Sequence, residues 1–225
     1  MAETVARRLD LPAWPEGQAI KPLDPQRIVL RTRFEDVEAY HPALTARILE
    51  LAEAAEAAGQ RGRSMGGTKL YGLHEWNCPE ADLIEARAAA FFRQARGAAE
   101  AFIDVSWANV YQAGDYIMPH SHTRTAASLV YMLAPGDPDP EDPDAGCFAI
   151  VDPRYEPCCQ AEKGHMTNPV RLKLRPGGML LFPGQLVHCV NPYRGASPRI
   201  TLAWNINPTP LVGSMLGAAK GQKRG

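Results

Sequence analysis

The second half of the chain is a succession of short β-rich runs with no helical pattern between them. From Trp107 onward the period typical of helices is absent, and turn residues separate one run from the next. The seven runs are Trp107 to Gln112, Ala127 to Leu133, Cys147 to Val151, Val170 to Leu174, Met179 to Phe182, Val187 to Val190 and Ile200 to Asn205. Strands that follow one another without helices pair as antiparallel neighbours. The pattern therefore predicts a mainly β core, either a sandwich, a jelly roll or a barrel.

The first half of the chain combines an extended segment with two helical patterns. Residues 1–27 are Pro-rich and aperiodic, and we expect an extended arm followed by a short strand from Ile28 to Phe34. Apolar residues recur at spacings of three and four from Val37 to Ala58, which predicts a helix. A second helix is predicted to start with Pro79 at its first position and to reach about Phe102. The Gly-rich, basic segment from Gly62 to Gly72 is predicted to be a loop.

The length of the chain fits one domain with terminal extensions. At 225 residues it can bury a sizeable core without disulfides, and we expect residues 1–225 to form a single domain. Within it, residues 1–104 are expected to be an N-terminal arm with supporting helices, and residues 105–207 the β-rich core. Residues 208–225 are small and basic, and are expected to form a flexible tail.

Charge and cysteine content restrict the setting in which the protein works. The net charge is −1, so electrostatics give no reason to expect a nucleic acid or an anionic membrane as a partner. No apolar run approaches the roughly 18 residues of a membrane span. The cysteines form no regular disulfide framework and are expected to be reduced thiols in a cytoplasm. They are Cys78, Cys147, Cys158, Cys159 and Cys189.

Three histidines lie in or beside strand-like runs with the spacing of a metal site. His120 and His122 are separated by one residue, and residues i and i+2 of a strand point to the same side. His188 follows far downstream, between apolar residues. Neutral imidazole is a good ligand for iron, copper, nickel or zinc. Two local ligands and one distant ligand predict a facial metal site with open coordination positions.

An arginine on the last predicted strand suggests an anion beside the metal. Arg199, Thr201, Ala203 and Asn205 alternate along this strand and share one face. An arginine that points into a β core is costly unless it has an anionic partner there. Its guanidinium can bind a carboxylate with two hydrogen bonds, and the Thr201 hydroxyl can add a third donor. A dicarboxylic cosubstrate between metal and arginine would satisfy both groups.

These residues, in this order, resemble the iron(II)- and 2-oxoglutarate-dependent oxygenases. The resemblance is closest to a bacterial and phage group with an H-x-H signature, and it covers roughly residues 105–207, about half the chain. The matching stretches are Trp107-Ala108-Asn109, Gly114-Asp115-Tyr116, Pro119-His120-Ser121-His122, Ser128 to Leu133, Asp152-Pro153-Arg154, Gly177 to Pro183, Val187-His188 and Arg199 to Asn205.

The resemblance implies a double-stranded β-helix, a cupin-like jelly roll, with helices packed outside it. It implies Fe(II) held by His120 and His188, with His122 at the position where most relatives have an acidic ligand. It also implies that 2-oxoglutarate chelates the iron and places its distal carboxylate on Arg199, assisted by Thr201. The positions implied to line the same pocket are those of Asn109, Tyr131 and Asn205. Phe182, Leu186 and Trp204 are expected to give it apolar cover.

The histidine at position 122 is a departure that matters physically. Three neutral imidazoles leave the full +2 charge on iron(II), whereas a carboxylate ligand would lower it to +1. A dianionic cosubstrate would offset the higher charge. Asp115 is an alternative ligand, but it lies in a Gly-Asp turn. His74 and His165 are further candidates of the right type, and His165 is expected to lie in a loop.

The activity implied is that of a dioxygenase that uses O2 to hydroxylate an unknown small molecule or side chain, with release of succinate and CO2. One alternative is a three-histidine cupin-type dioxygenase that needs no 2-oxoglutarate. Another is a non-enzymatic metal-binding jelly roll. The substrate cannot be inferred from the sequence, because selectivity in this fold lies in loops such as residues 62–72, 135–145 and 154–168. A homodimer formed through exposed helices or through the arm of residues 1–27 is a further expectation.

Overall fold

Two α-helices and eleven strands form the described part of the fold, together with short 3₁₀ helices. The computed structural model describes residues 9–59, 67–159 and 168–211. The helices are α1, His41–Ala57, and α2, Pro79–Arg96. The strands are β1 Lys21–Pro22, β2 Leu30–Arg33, β3 Thr68–Tyr71, β4 Phe102–Tyr111, β5 Ile117–His120, β6 Ala127–Ala134, β7 Phe148–Ile150, β8 Val170–Leu172, β9 Gly178–Pro183, β10 His188–Val190 and β11 Arg199–Asn207.

The strands form two antiparallel sheets that face each other. The larger sheet has the order β1-β2-β9-β6-β11-β4-β3, and the smaller has the order β5-β10-β7-β8. Apolar side chains from both sheets form one inner cluster, in which Val130 and Phe182 of the larger sheet meet Phe148 and Val190 of the smaller. This arrangement is a double-stranded β-helix, and the predicted fold class is confirmed.

Both helices pack on the outer face of the larger sheet. In α1 the buried residues Leu44, Ile48 and Ala52 follow the spacing of four that makes one helical face apolar. A second apolar cluster joins these residues to α2 and to the outward side chains of β6 and β11. The larger sheet is therefore buried on both faces, and its inner face is left to line the space between the sheets.

The helix boundaries differ from the prediction for local reasons. The helix α2 starts at Pro79 as predicted, but it ends at Arg96, where Gly97 caps it in a left-handed conformation with φ of 61°. The chain then enters β4 at Phe102, five residues before the predicted start of that strand at Trp107. None of the helices in the described ranges is long and apolar enough to cross a membrane.

The strand β3 lies in a segment for which the sequence predicts a loop. The segment from Gly62 to Gly72 was predicted to be a loop, but its second half forms β3, which pairs with β4 at the edge of the larger sheet. Lys69 lies opposite Asn109 in this pair, and Tyr71 lies opposite Trp107. This strand extends the inner face of the sheet and so becomes part of the site.

Candidate metal centre and adjoining pocket

His120, His122 and His188 converge at one end of the smaller sheet. His120 ends β5 and lies opposite His188, the first residue of β10. His122 follows β5 in a turn, and its backbone N–H donates to the carbonyl of Gly184 at 2.8 Å. Each histidine offers one nitrogen, and the three nitrogens lie within 4.8 Å of one another. The donor set therefore suits a single metal ion with open coordination positions.

Hydrogen bonds to the backbone fix the tautomers of two of these histidines. The Nδ1 atom of His120 lies 2.9 Å from the Met118 carbonyl, and that of His188 lies 2.8 Å from the Leu186 carbonyl. A carbonyl can only accept a hydrogen bond, so Nδ1 carries the proton in both rings. The Nε2 lone pair of each ring is left for a metal, as in most histidine metal sites.

His122 has a side-chain partner in place of a carbonyl. Its Nδ1 lies 3.3 Å from Nδ2 of Asn205, whose Oδ1 accepts a hydrogen bond of 2.9 Å from the Ser128 hydroxyl. A half-turn of the Asn205 amide exchanges its oxygen and nitrogen. The oxygen could then accept the Nδ1 proton of a metal-bound His122. Asn205 is thus the residue that orients the third imidazole.

Burial keeps the three imidazoles neutral. Desolvation, with the nearby His120 second, lowers the pKa of His188 to about 3. Desolvation followed by the charges of His120 and Lys69 lowers the pKa of His122 to about 4. Desolvation is also the main cause that lowers the pKa of His120. All three rings are therefore unprotonated near neutral pH, which is the form that binds metals.

Aromatic side chains surround the histidines. The ring centroids of Phe182 and Phe148 lie 4.8 and 5.4 Å from that of His188. The ring of Trp107 lies 5.9 Å from that of His122. These rings exclude water from the back of the site. The predicted apolar cover is present for Phe182, whereas Leu186 belongs to the inner apolar cluster without lining the pocket.

A cavity of about 230 Å³ adjoins the histidines between the two sheets. Because a water molecule occupies about 30 Å³ in the liquid, the cavity holds a small ligand rather than a single solvent molecule. One wall is the inward face of β11, where Asn205 stands beside His122 and Arg199 stands at the opposite end. Asn109 and Thr201 line the cavity between these ends.

Arg199 is a buried cation without an anionic partner in the described part of the chain. Only 3% of its surface is exposed, its guanidinium lies 4.8 Å above the Tyr111 ring, and its Nη1 has no hydrogen-bond partner. No described carboxylate forms an ion pair with it. The Oδ1 of Asn109 in the same cavity is also unpartnered. A buried guanidinium without an anion is costly, so Arg199 fits a carboxylate ligand, whereas the Asn109 oxygen can only accept a hydrogen bond from a ligand.

Two predicted pocket residues lie on the other face of the larger sheet. The hydroxyl of Tyr131 is 2.7 Å from that of Tyr40 and 2.6 Å from Nε2 of His41, both of which belong to the helical layer. Trp204 packs in the same outer cluster. Their neighbours Val130 and Ala203 point into the cavity instead. Tyr131 and Trp204 therefore support the helices and do not line the pocket.

The alternative metal ligands lie apart from the three histidines. Oδ2 of Asp115 accepts a hydrogen bond of 2.7 Å from the backbone N–H of Gln112, within its own turn. His74 lies in a short 3₁₀ helix, Leu73–Glu75, near the carboxylates of Glu75 and Glu85. His165 lies outside the described residues. None of the three belongs to the group of possible ligands found in the described ranges.

The comparison with known proteins agrees with this site. Residues 105–205 match the family described as "Putative 2OG-Fe(II) oxygenase". The structure resembles EctD from S. alaskensis, solved with 2-oxoglutarate and 5-hydroxyectoine, with a TM-score of 0.58 and 21% identity over 80% of this chain and 72% of EctD. It also resembles AviO1 from Streptomyces viridochromogenes Tue57, with a TM-score of 0.57 and 15% identity over 78% of this chain and 88% of AviO1.

A third solved structure is an oxidoreductase of the 2OG-Fe(II) oxygenase family from Burkholderia pseudomallei. It has a TM-score of 0.44 and 20% identity over 59% of this chain, and the chain spans only 58% of the length of that protein. No curated protein matches the chain by sequence.

Sequence match and fold point the same way. Residues 105–205, a little under half of the chain, match the model of the 2OG-Fe(II) oxygenases, and the structure shares the fold of EctD. The metal and cosubstrate of the class are Fe(II) and 2-oxoglutarate, and the residues present fit both: three neutral imidazoles for iron, and an unpaired buried arginine for a carboxylate.

Proposed function

We propose that this enzyme uses Fe(II), 2-oxoglutarate and O2 to hydroxylate a small molecule or a side chain, with release of succinate and CO2. His120, His122 and His188 hold the iron, and Arg199 with Thr201 binds the distal carboxylate of 2-oxoglutarate. The observation that carries the proposal is the buried guanidinium of Arg199, which has no anionic partner among the described residues and lies in the same cavity as the three histidines.

Iron(II) and 2-oxoglutarate, when bound, supply the oxidising power of O2 through oxidative decarboxylation of the cosubstrate. The protein supplies position and electrostatics. Arg199 fixes one end of the cosubstrate through its planar guanidinium, and Asn109 offers a further polar contact between the two ends of the cavity. The rings of Phe148 and Phe182 keep water away from the reacting centre.

The three-histidine set favours a dianionic cosubstrate. Neutral imidazoles do not offset the +2 charge of iron, and the described residues that line the cavity include no aspartate or glutamate. Two carboxylates of 2-oxoglutarate would bring the negative charge that the protein does not provide. His122 in place of an acidic ligand would then strengthen cosubstrate capture.

An anaerobic titration tests the proposal. Iron(II) and 2-oxoglutarate are added separately and together while the visible charge-transfer absorbance of the chelate is followed. A band that requires both, and that is lost in His188→Ala, is the expected result, because two remaining ligands hold iron(II) poorly. Bound iron without any band would contradict it and would favour a cupin-type dioxygenase that needs no cosubstrate, or a metal-binding jelly roll without activity.

The setting proposed for this activity is the cytoplasm, because all five cysteines are free thiols, which suits a reducing compartment. A homodimer formed through exposed helices or through the arm of residues 1–27 is also proposed. Analytical ultracentrifugation at two concentrations checks the dimer, which predicts a sedimentation coefficient that rises with concentration.

A further inference from the structure

Lys69 points into the cavity from the edge of the larger sheet. Its neighbours in β3 face the helices: the hydroxyl of Thr68 donates to Oε1 of Glu56 at 3.0 Å, and Leu70 is part of the outer apolar cluster. Because side chains alternate along a strand, Lys69 and Tyr71 face inward. Both line the cavity beside the three histidines.

The ammonium of Lys69 has no anionic partner among the residues that the structure describes. The side chain is partly buried, and this burial lowers its pKa. Its charge acts on two histidines of the site, since it lowers the pKa of both His120 and His122. A lysine held next to a metal site is itself unfavourable unless a negative charge joins it.

The cosubstrate does not supply the charge that Lys69 needs. The proposed function assigns one carboxylate of 2-oxoglutarate to the metal and the other to Arg199. Within the described ranges, the residues that line the cavity include Lys69 and Arg199 as cations but no acidic side chain. A negative group for Lys69 must therefore come from a second ligand, and the second ligand of this site is the substrate.

The surface next to Lys69 is aromatic. Tyr71 is 60% exposed although it is a large aromatic residue, and its ring centroid lies 6.4 Å from that of Trp107. Trp107 in turn borders His122. An exposed tyrosine at the rim of a cavity offers a flat face to a ligand, and aromatic contacts of this kind contribute beyond area burial.

We propose that the substrate is a small organic acid whose carboxylate binds Lys69 while its apolar body lies against Tyr71 and Trp107. This inference rests on the proposed function, because it assigns the other two anionic positions to 2-oxoglutarate. A single carboxylate suits a single lysine, whereas a phosphate monoester brings about −1.5 to −2 charge and three strong acceptors. The carboxylate reaches Lys69 inside the cavity, and the apolar body lies along Tyr71 and Trp107, the second of which borders His122.

Paired ligands test the inference. The protein is loaded anaerobically with iron(II) and saturating 2-oxoglutarate, so that Arg199 is occupied. Binding of 3-phenylpropanoate and of its neutral amide is then measured by calorimetry. The acid is expected to bind about tenfold more tightly than the amide, and Lys69→Met is expected to remove the preference. Lys21→Met is the matched control, because Lys21 is an exposed lysine on β1 away from the cavity and its loss should change nothing.

Three other results would each contradict the binding of the substrate carboxylate by Lys69. Equal affinities for acid and amide, or no saturable binding of the acid below about 10 mM, would overturn the inference. So would a Lys69→Met variant that binds 2-oxoglutarate more weakly but keeps its preference for the acid, since Lys69 would then serve the cosubstrate. Failure of the proposed function is visible separately, as a wild-type sample that shows no charge-transfer band with iron and 2-oxoglutarate.

Discussion

The guanidinium of Arg199 lies almost entirely out of water, on top of the Tyr111 ring and with one nitrogen unpartnered. Such a group is unfavourable in the ligand-free protein and favourable once an anion joins it. Gly146 makes room for it, because a Cβ at that position would lie 3.1 Å from the Arg199 Cδ atom. Arg199 is therefore arranged to bind a carboxylate before any ligand is present.

Replacing Arg199 by alanine should leave iron binding intact and weaken 2-oxoglutarate by roughly 2–5 kcal/mol, the usual cost of removing one partner of a buried charge pair. Titration of the charge-transfer band measures the change. Arg199→Lys is the matched variant. It keeps the charge but loses the two parallel hydrogen bonds, so its affinity for 2-oxoglutarate should lie between those of the wild type and Arg199→Ala. Normal 2-oxoglutarate affinity in Arg199→Ala would refute the assignment of this residue.

At the scale of elements, a buried chain of polar groups ties α1 and α2 to the larger sheet. His41 at the start of α1 and Tyr40 beside it meet the Tyr131 hydroxyl on β6. Arg87 of α2 donates to the Tyr40 hydroxyl at 3.1 Å and pairs with Asp36. The helices are thus oriented by hydrogen bonds as well as by apolar contacts.

The docking of α1 should weaken in acid. Desolvation lowers the pKa of His41 to about 4, below the value of about 6.5 in an unfolded chain. The unfolded state therefore binds a proton first, and the free energy of unfolding falls as the pH drops from about 6.5 to about 4. Urea denaturation of wild type and His41→Gln checks this, because the variant should lose less stability over that range. Equal losses in the two proteins would show that His41 does not contribute.

Asp152 ties the segment before β10 to the rest of the fold. It accepts hydrogen bonds from Arg154 and, at 2.9 Å, from the backbone N–H of Val187, while Arg154 also donates to the Gln185 carbonyl at 2.7 Å. The bonds from Arg154 hold the pKa of the Asp152 carboxyl well below its usual range. The turn that delivers His188 is fixed in this way.

Changing Asp152 to asparagine should lower the free energy of unfolding by about 1–3 kcal/mol, because a buried amide group would replace an acceptor that several N–H groups need. Urea denaturation at neutral pH measures the loss, and a chelator competition measures the weaker iron binding expected from a looser His188. Arg154→Met should cost less, since the exposed Arg154 contributes little. An Asp152→Asn protein as stable as wild type would contradict this role.

The sequence predicts some elements better than others for physical reasons. The spacing in α1 and the proline that starts α2 are local signals, and both predictions are confirmed. The strand β3 has only four residues and follows a glycine-rich segment, so the local sequence pattern is too short to predict it. Its extended structure depends on pairing with β4. Lys69 was missed for this reason, although Thr68 to Tyr71 does alternate in polarity.

The inward face of a strand was equally hard to assign where both faces are buried. In β6 every residue from Ala127 to Leu133 is buried, so hydrophobic alternation cannot separate Tyr131 from Val130. The same holds for Trp204 in β11. Arg199, Thr201 and Asn205 were assignable, because a polar side chain in an apolar run marks the face that needs a ligand.

At the scale of the whole molecule, the supporting helices and the site lie on opposite faces of the larger sheet. The helices cover the outer face, and the cavity uses the inner face together with the smaller sheet. The larger sheet can therefore be held rigid by apolar packing while polar groups remain unpaired on its other side. The edge of this sheet and the loops beside it can vary in sequence without loss of the core.

A bound metal should stabilise the folded protein measurably. Manganese(II), which resists oxidation, added at about 100 times its dissociation constant should raise the free energy of unfolding by about 2.7 kcal/mol. Thermal denaturation with and without manganese gives the shift, and His188→Ala should abolish it. Unchanged stability at saturating manganese would show that the three histidines do not hold a metal in the folded state.

The pairing of His120 with His188 has a consequence for how the chain is held together. An ion shared by these strands would act as a removable cross-link between residues about 68 positions apart in the chain, and because the site does not exist in the unfolded chain, the binding free energy would add to the stability of the fold. The strands it joins are short, so the ion would replace a long ladder of hydrogen bonds. In a cell short of iron, the protein would lose this cross-link together with its metal. Unfolding and proteolysis would then increase as the iron concentration falls.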